Sequence, residues 1–103
     1  MKEYGKLVRD KIPGIVEEDG EKPITRIAGE KEYKEALARK LHEEIAEFLA
    51  APSAEEAADI LEVIHAICDL NGVDTSNLDE IRRKKADERG GFKGRIILDR
   101  IEK

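Results

Sequence analysis

The sequence predicts an all-α fold: an antiparallel helical hairpin plus a third helix, with short extended or β segments near both ends. Three observations carry this expectation. Two long amphipathic runs, from about Glu30 to Ala50 and from Ser53 to about Asn71, place apolar residues on one side at helical spacing. Only Ala51-Pro52-Ser53 joins them, and so short a connection returns the second helix antiparallel to the first. Gly72 and Gly90 follow the second and third helical patterns, where C-terminal stops belong.

In chain order, Tyr4, Leu7 and Val8 form a short extended arm. Asp10 is placed to cap a short helix over about Lys11 to Asp19, with Pro13 tolerated in its first turn and Gly20 ending it. Ile12, Ile15 and Val16 are its expected buried face. Pro23 to Ala28 carries β-branched residues in near alternation and reads as a short strand or extended segment. The first long helix is filled with Glu, Lys, Ala, Leu and Arg, all strong helix formers. At about 100° per residue, Leu37, Leu41, Ile45 and Phe48 share one side; Glu44 falls inside that arc, and Glu47 and Lys40 lie at its edge. Ile60, Val63, Ile64, Ile67 and Leu70 make the stripe of the second helix, with Glu56 on it and Asp59 at its edge. The third helix is expected from about Ser76, where Ser76-Asn-Leu-Asp79 reads as a capping box. Leu78, Ile81 and Lys85 mark its inner face. Beyond it, Arg89, Lys93 and Arg95 surround a Gly-Gly turn, which is either a helix stop or a place where an anion approaches exposed N–H groups. Arg95 to Asp99 is a candidate strand, paired with Ile24 to Ala28.

A chain of 103 residues is expected to be one domain with a modest core, and 4% aromatic content makes that core aliphatic. The net charge of −5 argues against a nucleic-acid polymer as partner. No apolar run approaches the length of a membrane span and no signal peptide is read, so no membrane partner and a cytoplasmic location are expected. Cys68 is the single cysteine, which excludes an internal disulfide; its apolar neighbours predict a buried, inert thiol. The apolar positions Leu61, Val63, Ile64, Ile67 and Leu70 spread wider than one helix contact needs. That predicts a partner face and at least an isologous homodimer.

Chemistry concentrates at the turn end of the hairpin. Glu44 with Glu47, and Glu56 with Asp59, are pairs three residues apart, hence neighbours on a helix face. An antiparallel hairpin brings the end of the first helix to the start of the second, so the four carboxylates should converge. Four such charges in a half-buried space repel and lose hydration unless compensated. No lysine or arginine lies between Glu43 and Glu62, so a hard divalent cation is the natural counter-ion, and Mg²⁺ suits a few carboxylates plus substrate phosphates. Structural alternatives stand beside this one. Ser53-Ala-Glu-Glu56 is also a capping box, which accounts for Glu56 without a metal; Glu43, Glu55 and Glu62 read as solvated charges.

Together these residues resemble a known family. KLHEEIAEF followed by EEAADILEVIHAI is similar to the EExxE and ExxD signature of the MazG-like all-α nucleoside triphosphate pyrophosphohydrolases, a superfamily that includes phosphoribosyl-ATP pyrophosphohydrolase. The opening KLVRDKIP and the late ERGGF resemble a small house-cleaning subgroup, so the likeness covers nearly the whole chain. It implies Mg²⁺-dependent hydrolysis of a nucleoside triphosphate to monophosphate and pyrophosphate, with Mn²⁺ as a substitute, in a homodimer or homotetramer. Glu44, Glu47, Glu56 and Asp59 match the metal-binding acids. Glu43 matches the first acid of EExxE, read with Glu44 and Glu47 as catalytic, in its case by positioning water. Lys84 or Lys85 matches a phosphate-facing lysine. Arg9, Lys11, Lys40, Arg89, Lys93 and Arg95 are further candidates for the triphosphate's remaining charge. The gap between the two acid motifs is short for the family. The competing expectation is a non-catalytic helical module that senses a nucleotide or metal, or simply binds a partner.

Overall fold

The computed structural model describes residues 5–103; Tyr4, expected in the N-terminal arm, lies outside them. The described residues form four helices and no strand: α1 (Ile12–Glu18), α2 (Glu30–Ala50), α3 (Ala54–Leu70) and α4 (Leu78–Arg89). They group into two compact units, the first ending at Val73 and the second spanning Asp74–Lys103.

The first unit is built on the expected hairpin, α2 packed against α3. Its turn is closed from both sides. The Ala51 N–H donates to Glu47 O at 3.1 Å, and Ser53, with extended backbone, accepts the Glu56 N–H on its hydroxyl at 3.1 Å. That side-chain cap satisfies one of the N–H groups that a helix start leaves without a partner. The core is small. Among the described apolar residues only Leu37 (2% exposed) and Val63 (8%) are buried. Leu41, Phe48, Ile60, Ile64, Ile67 and Leu70 are half-buried, as is Cys68, which was expected inside.

Two glycines stop helices in the left-handed conformation open to a residue without Cβ. At Gly72 (φ +68°) the Val73 N–H returns to Cys68 O at 2.8 Å and the Gly72 N–H to Asp69 O at 3.3 Å. At Gly20 (φ +84°) the Glu21 N–H returns to Val16 O at 3.2 Å and the Gly20 N–H to Glu17 O at 2.9 Å. Both are Schellman closures, which satisfy last-turn carbonyls.

Several local expectations are corrected. Lys11, not Asp10, is the N-cap of α1, without a side-chain bond; the Ile12 N–H is taken by Arg9 O at 3.0 Å, so backbone replaces the cap. α1 buries no residue, and Ile12 and Ile15 are exposed, because two turns of helix present too little apolar area to dock firmly. The stretch from Pro23 to Ala28 forms no strand, and Ile24 and Ile27 (96%) are open to solvent. β-branched composition supplies no ladder without a paired neighbour. Instead Arg26 clamps Glu32 in the first turn of α2 with two bonds, at 2.5 and 2.6 Å.

In the second unit α4 starts one residue later than the capping box suggested. Asn77 is its N-cap, the Ser76 N–H donates to Asp74 Oδ1 at 2.9 Å, and the Leu78 N–H returns to Thr75 O at 3.1 Å. Asp79 is free of the cap and pairs with Arg82 at 3.1 Å and Arg83 at 3.0 Å. Gly90 ends α4. Arg95 to Asp99 is not a strand either, and Phe92, Ile96, Ile97, Leu98 and Ile101 are exposed.

Candidate metal centre

α2 and α3 position three carboxylates together. One oxygen from each of Glu44, Glu56 and Asp59 lies within 4.8 Å of the other two. Glu44 is carried into the helix interface by the Leu37–Leu41–Phe48 face and is 7% exposed, nearly as buried as the leucine two turns before it. Glu56 and Asp59 come from the first turns of α3 and are half-buried. Oxygens sharing one Mg²⁺ stand about 3 Å apart in cis and about 4.2 Å in trans, a spacing comparable to the 4.8 Å within which the three oxygens lie.

The hydrogen bonding of this cluster is incomplete. Glu44 Oε2 and Glu56 Oε2 are both buried, and neither has a hydrogen-bond partner. An unmet buried acceptor costs about 1–3 kcal/mol, more when charged. The capping-box account of Glu56 therefore covers only the backbone: Ser53 receives the Glu56 N–H, while Glu56 Oε2 is not spent on the cap. The donor set, all hard carboxylate oxygen, suits Mg²⁺, Mn²⁺ or Ca²⁺ rather than a soft metal.

Glu47 stands at the margin. It is exposed, and its oxygens are not among the three that converge. It still feels the cluster: the negative charge of Glu44 first, then desolvation, then Glu56 and Glu43, hold its carboxyl above the ordinary carboxylate range.

No lysine or arginine lies between Glu43 and Glu62, but basic groups from outside that stretch reach the acids. Lys40 Nζ lies 3.4 Å from Glu44 Oε1, one helical turn away. Arg9 Nη2 lies 2.7 Å from Asp59 Oδ1 across 50 positions of chain. Lys6 Nζ lies 3.3 Å from Glu43 Oε1, also a long-range contact. Of the candidate cations, Arg9 and Lys40 are thus at the acids, and Lys11 is exposed at the N-cap of α1. Lys84, Lys85 and Arg89 on α4, and Lys93 and Arg95 after it, belong to the second unit and are exposed. Lys6 is the residue that sequence reasoning missed. Its only signal was a positive charge in the same short arm as Arg9.

No family model matches the chain, and no solved structure matches it. A protein of Mycolicibacterium smegmatis (strain ATCC 700084 / mc(2)155), described as uncharacterized, is 42% identical over 53 residues, which are 52% of this chain and 54% of that protein. The chain thus spans about half the length of the curated relative it matches.

Proposed function

We propose that this chain is a Mg²⁺-dependent nucleoside triphosphate pyrophosphohydrolase of the MazG-like type, with Mn²⁺ as a competent substitute. The observation that carries the reading is that Glu44 and Glu56, on facing helices, each bury a carboxylate oxygen without a partner and belong with Asp59 to one cluster of converging carboxylates. Together with the EExxE and ExxD spacing, this is the donor set the reaction calls for. Glu44, Glu56 and Asp59 would hold the cation, and Glu47, exposed beside the cluster, would be available as a further carboxylate. When bound, the ion neutralises phosphate charge and acidifies a coordinated water.

The chain's own groups do the rest. Phosphoryl chemistry needs charge neutralisation and positioning more than covalent help. Glu43, half-buried beside Glu44, orients the attacking water and accepts its proton. Lys40, already against Glu44, offsets part of the triphosphate's charge. Water attacks phosphorus, the bond between the α and β phosphates breaks, and pyrophosphate leaves.

The assembly belongs to the same proposal. With two buried apolar side chains among the described residues and Leu49, Leu61 and Ile45 exposed on the hairpin, a homodimer or homotetramer would cover what the monomer leaves open. Among the described residues, no helix is long and apolar enough to cross a membrane.

The decisive experiment measures pyrophosphate release from a panel of standard and damaged nucleoside triphosphates, with and without Mg²⁺. Mg²⁺-dependent release that is lost in Glu56→Gln supports the enzyme. Tight nucleotide binding without release supports a sensor, and neither supports a helical interaction module.

A further inference from the structure

Arg9 is held where a cation would act. Its guanidinium meets Asp59 Oδ1 at 2.7 Å, and Asp59 is one of the three acids whose oxygens converge. Residues 5–10 carry no helix or strand, and Lys6, three positions before Arg9, grips Glu43 on α2. The arm therefore crosses from one helix of the hairpin to the other through two ion pairs. Meanwhile Glu44 Oε2 and Glu56 Oε2 remain unsatisfied, so Arg9 neutralises only one of the three acids, Asp59.

We infer that Arg9 is an exchangeable counter-ion of the carboxylate cluster: it occupies Asp59 in the metal-free chain and is released when a divalent cation takes that carboxylate. This rests on the metal centre proposed above. Two charges of like sign cannot share one exposed carboxylate within a few ångströms without mutual repulsion. The Arg9 pair is the weaker competitor. Its side chains are 56% and 40% exposed, and such surface pairs are worth only about 0.2–1 kcal/mol. A divalent ion would instead draw on all three acids, each of which brings one oxygen to the cluster. Arg9 donates to Asp59 through one Nη, so the rest of its donor fork is available to pivot. Once free, it remains tethered near the acids by Lys6, placed to meet an anion carried by the metal.

The test is calorimetric titration of Mg²⁺ into the full chain, as wild type, Arg9→Ala and Arg9→Lys, with amide exchange of residues 6 to 10 followed in the wild type. Arg9→Ala should bind Mg²⁺ about two- to fivefold more tightly, the range an exposed ion pair supplies. Arg9→Lys, which keeps the charge, should stay near wild type. Exchange in the arm should quicken as Mg²⁺ is added. Equal or weaker binding by Arg9→Ala, or arm exchange that stays constant or slows at saturating Mg²⁺, overturns the inference and leaves the metal centre standing. Absence of Mg²⁺ binding in both wild type and Arg9→Ala removes the metal centre itself, and the exchange with it.

Discussion

Replacing Glu44 with glutamine isolates the cost of placing a carboxylate inside the hairpin. Glu44 is 7% exposed, Oε1 has Lys40 at 3.4 Å, and Oε2 has nothing. The unmet acceptor costs about 1–3 kcal/mol. The i,i+4 pair with Lys40 returns about 0.3–0.5 kcal/mol. Glutamine keeps the shape, removes the charge that repels Glu47, Glu56 and Asp59, and adds an N–H donor among carboxylate oxygens that lie within 4.8 Å of one another. The balance favours the variant by about 1 kcal/mol in the absence of metal, a rise in melting midpoint of roughly 4–8 °C for a domain of this size. The assay is thermal unfolding by circular dichroism at neutral pH, first in EDTA and then in Mg²⁺. In EDTA the variant should melt above the wild type. In Mg²⁺ the order should reverse, because ligand linkage raises the wild type by about 2.7 kcal/mol at a hundredfold excess over Kd and the variant scarcely responds. A Glu44→Gln protein that melts below wild type in EDTA refutes the reasoning, since it means the native carboxylate already has partners for both oxygens.

Three further outcomes are expected. Gly72→Ala should lose about 1–2 kcal/mol in urea unfolding, the penalty of a Cβ in the left-handed region, because Gly72 sits at φ +68° with open space around it and only backbone strain acts. In Arg26→Ala, an NMR titration should show the Glu32 carboxyl rising towards its ordinary value, since the hydrogen bond from Arg26 now holds it low against desolvation. That contact's contribution to stability is present above the unfolded carboxyl's pKa and is lost as pH falls through the lowered folded one. Light scattering should give a mass of at least two chains. A concentration-independent monomer would contradict a partner over exposed apolar side chains such as Leu49 (72% exposed) and Leu61.

The hairpin was legible because its signals are local and redundant. Helical spacing, Pro52, the Ser53 cap and Gly72 each point to the same boundaries, and α2 runs over the residues expected. Glu44 was legible for the same reason: three after Leu41 and four before Phe48, a carboxylate has no route out of the apolar face. Glu47 was not separable from it, because one position at the edge of a stripe decides between interior and solvent, and that depends on how α3 lies across α2. The Arg9–Asp59 pair spans 50 positions, a separation at which charge pattern carries no register. The strands failed differently. Ile24, Ile27 and Ile96 have the composition of a ladder, but a ladder is a property of two segments, and neither stretch states its partner.

The three-residue connection between α2 and α3 also governs the order of events as the chain folds. Closing so short a link surrenders little chain entropy, and contacts between sequence neighbours form quickly, on the microsecond to millisecond scale typical of helical bundles. Glu44, Glu56 and Asp59 are thus carried together by helix docking, before an ion need arrive. In a zinc finger the metal supplies the free energy that holds the ligands together, and the apo chain is unfolded. Here helix docking assembles the three carboxylates, against their own repulsion, and the proposed ion would meet a scaffold already built.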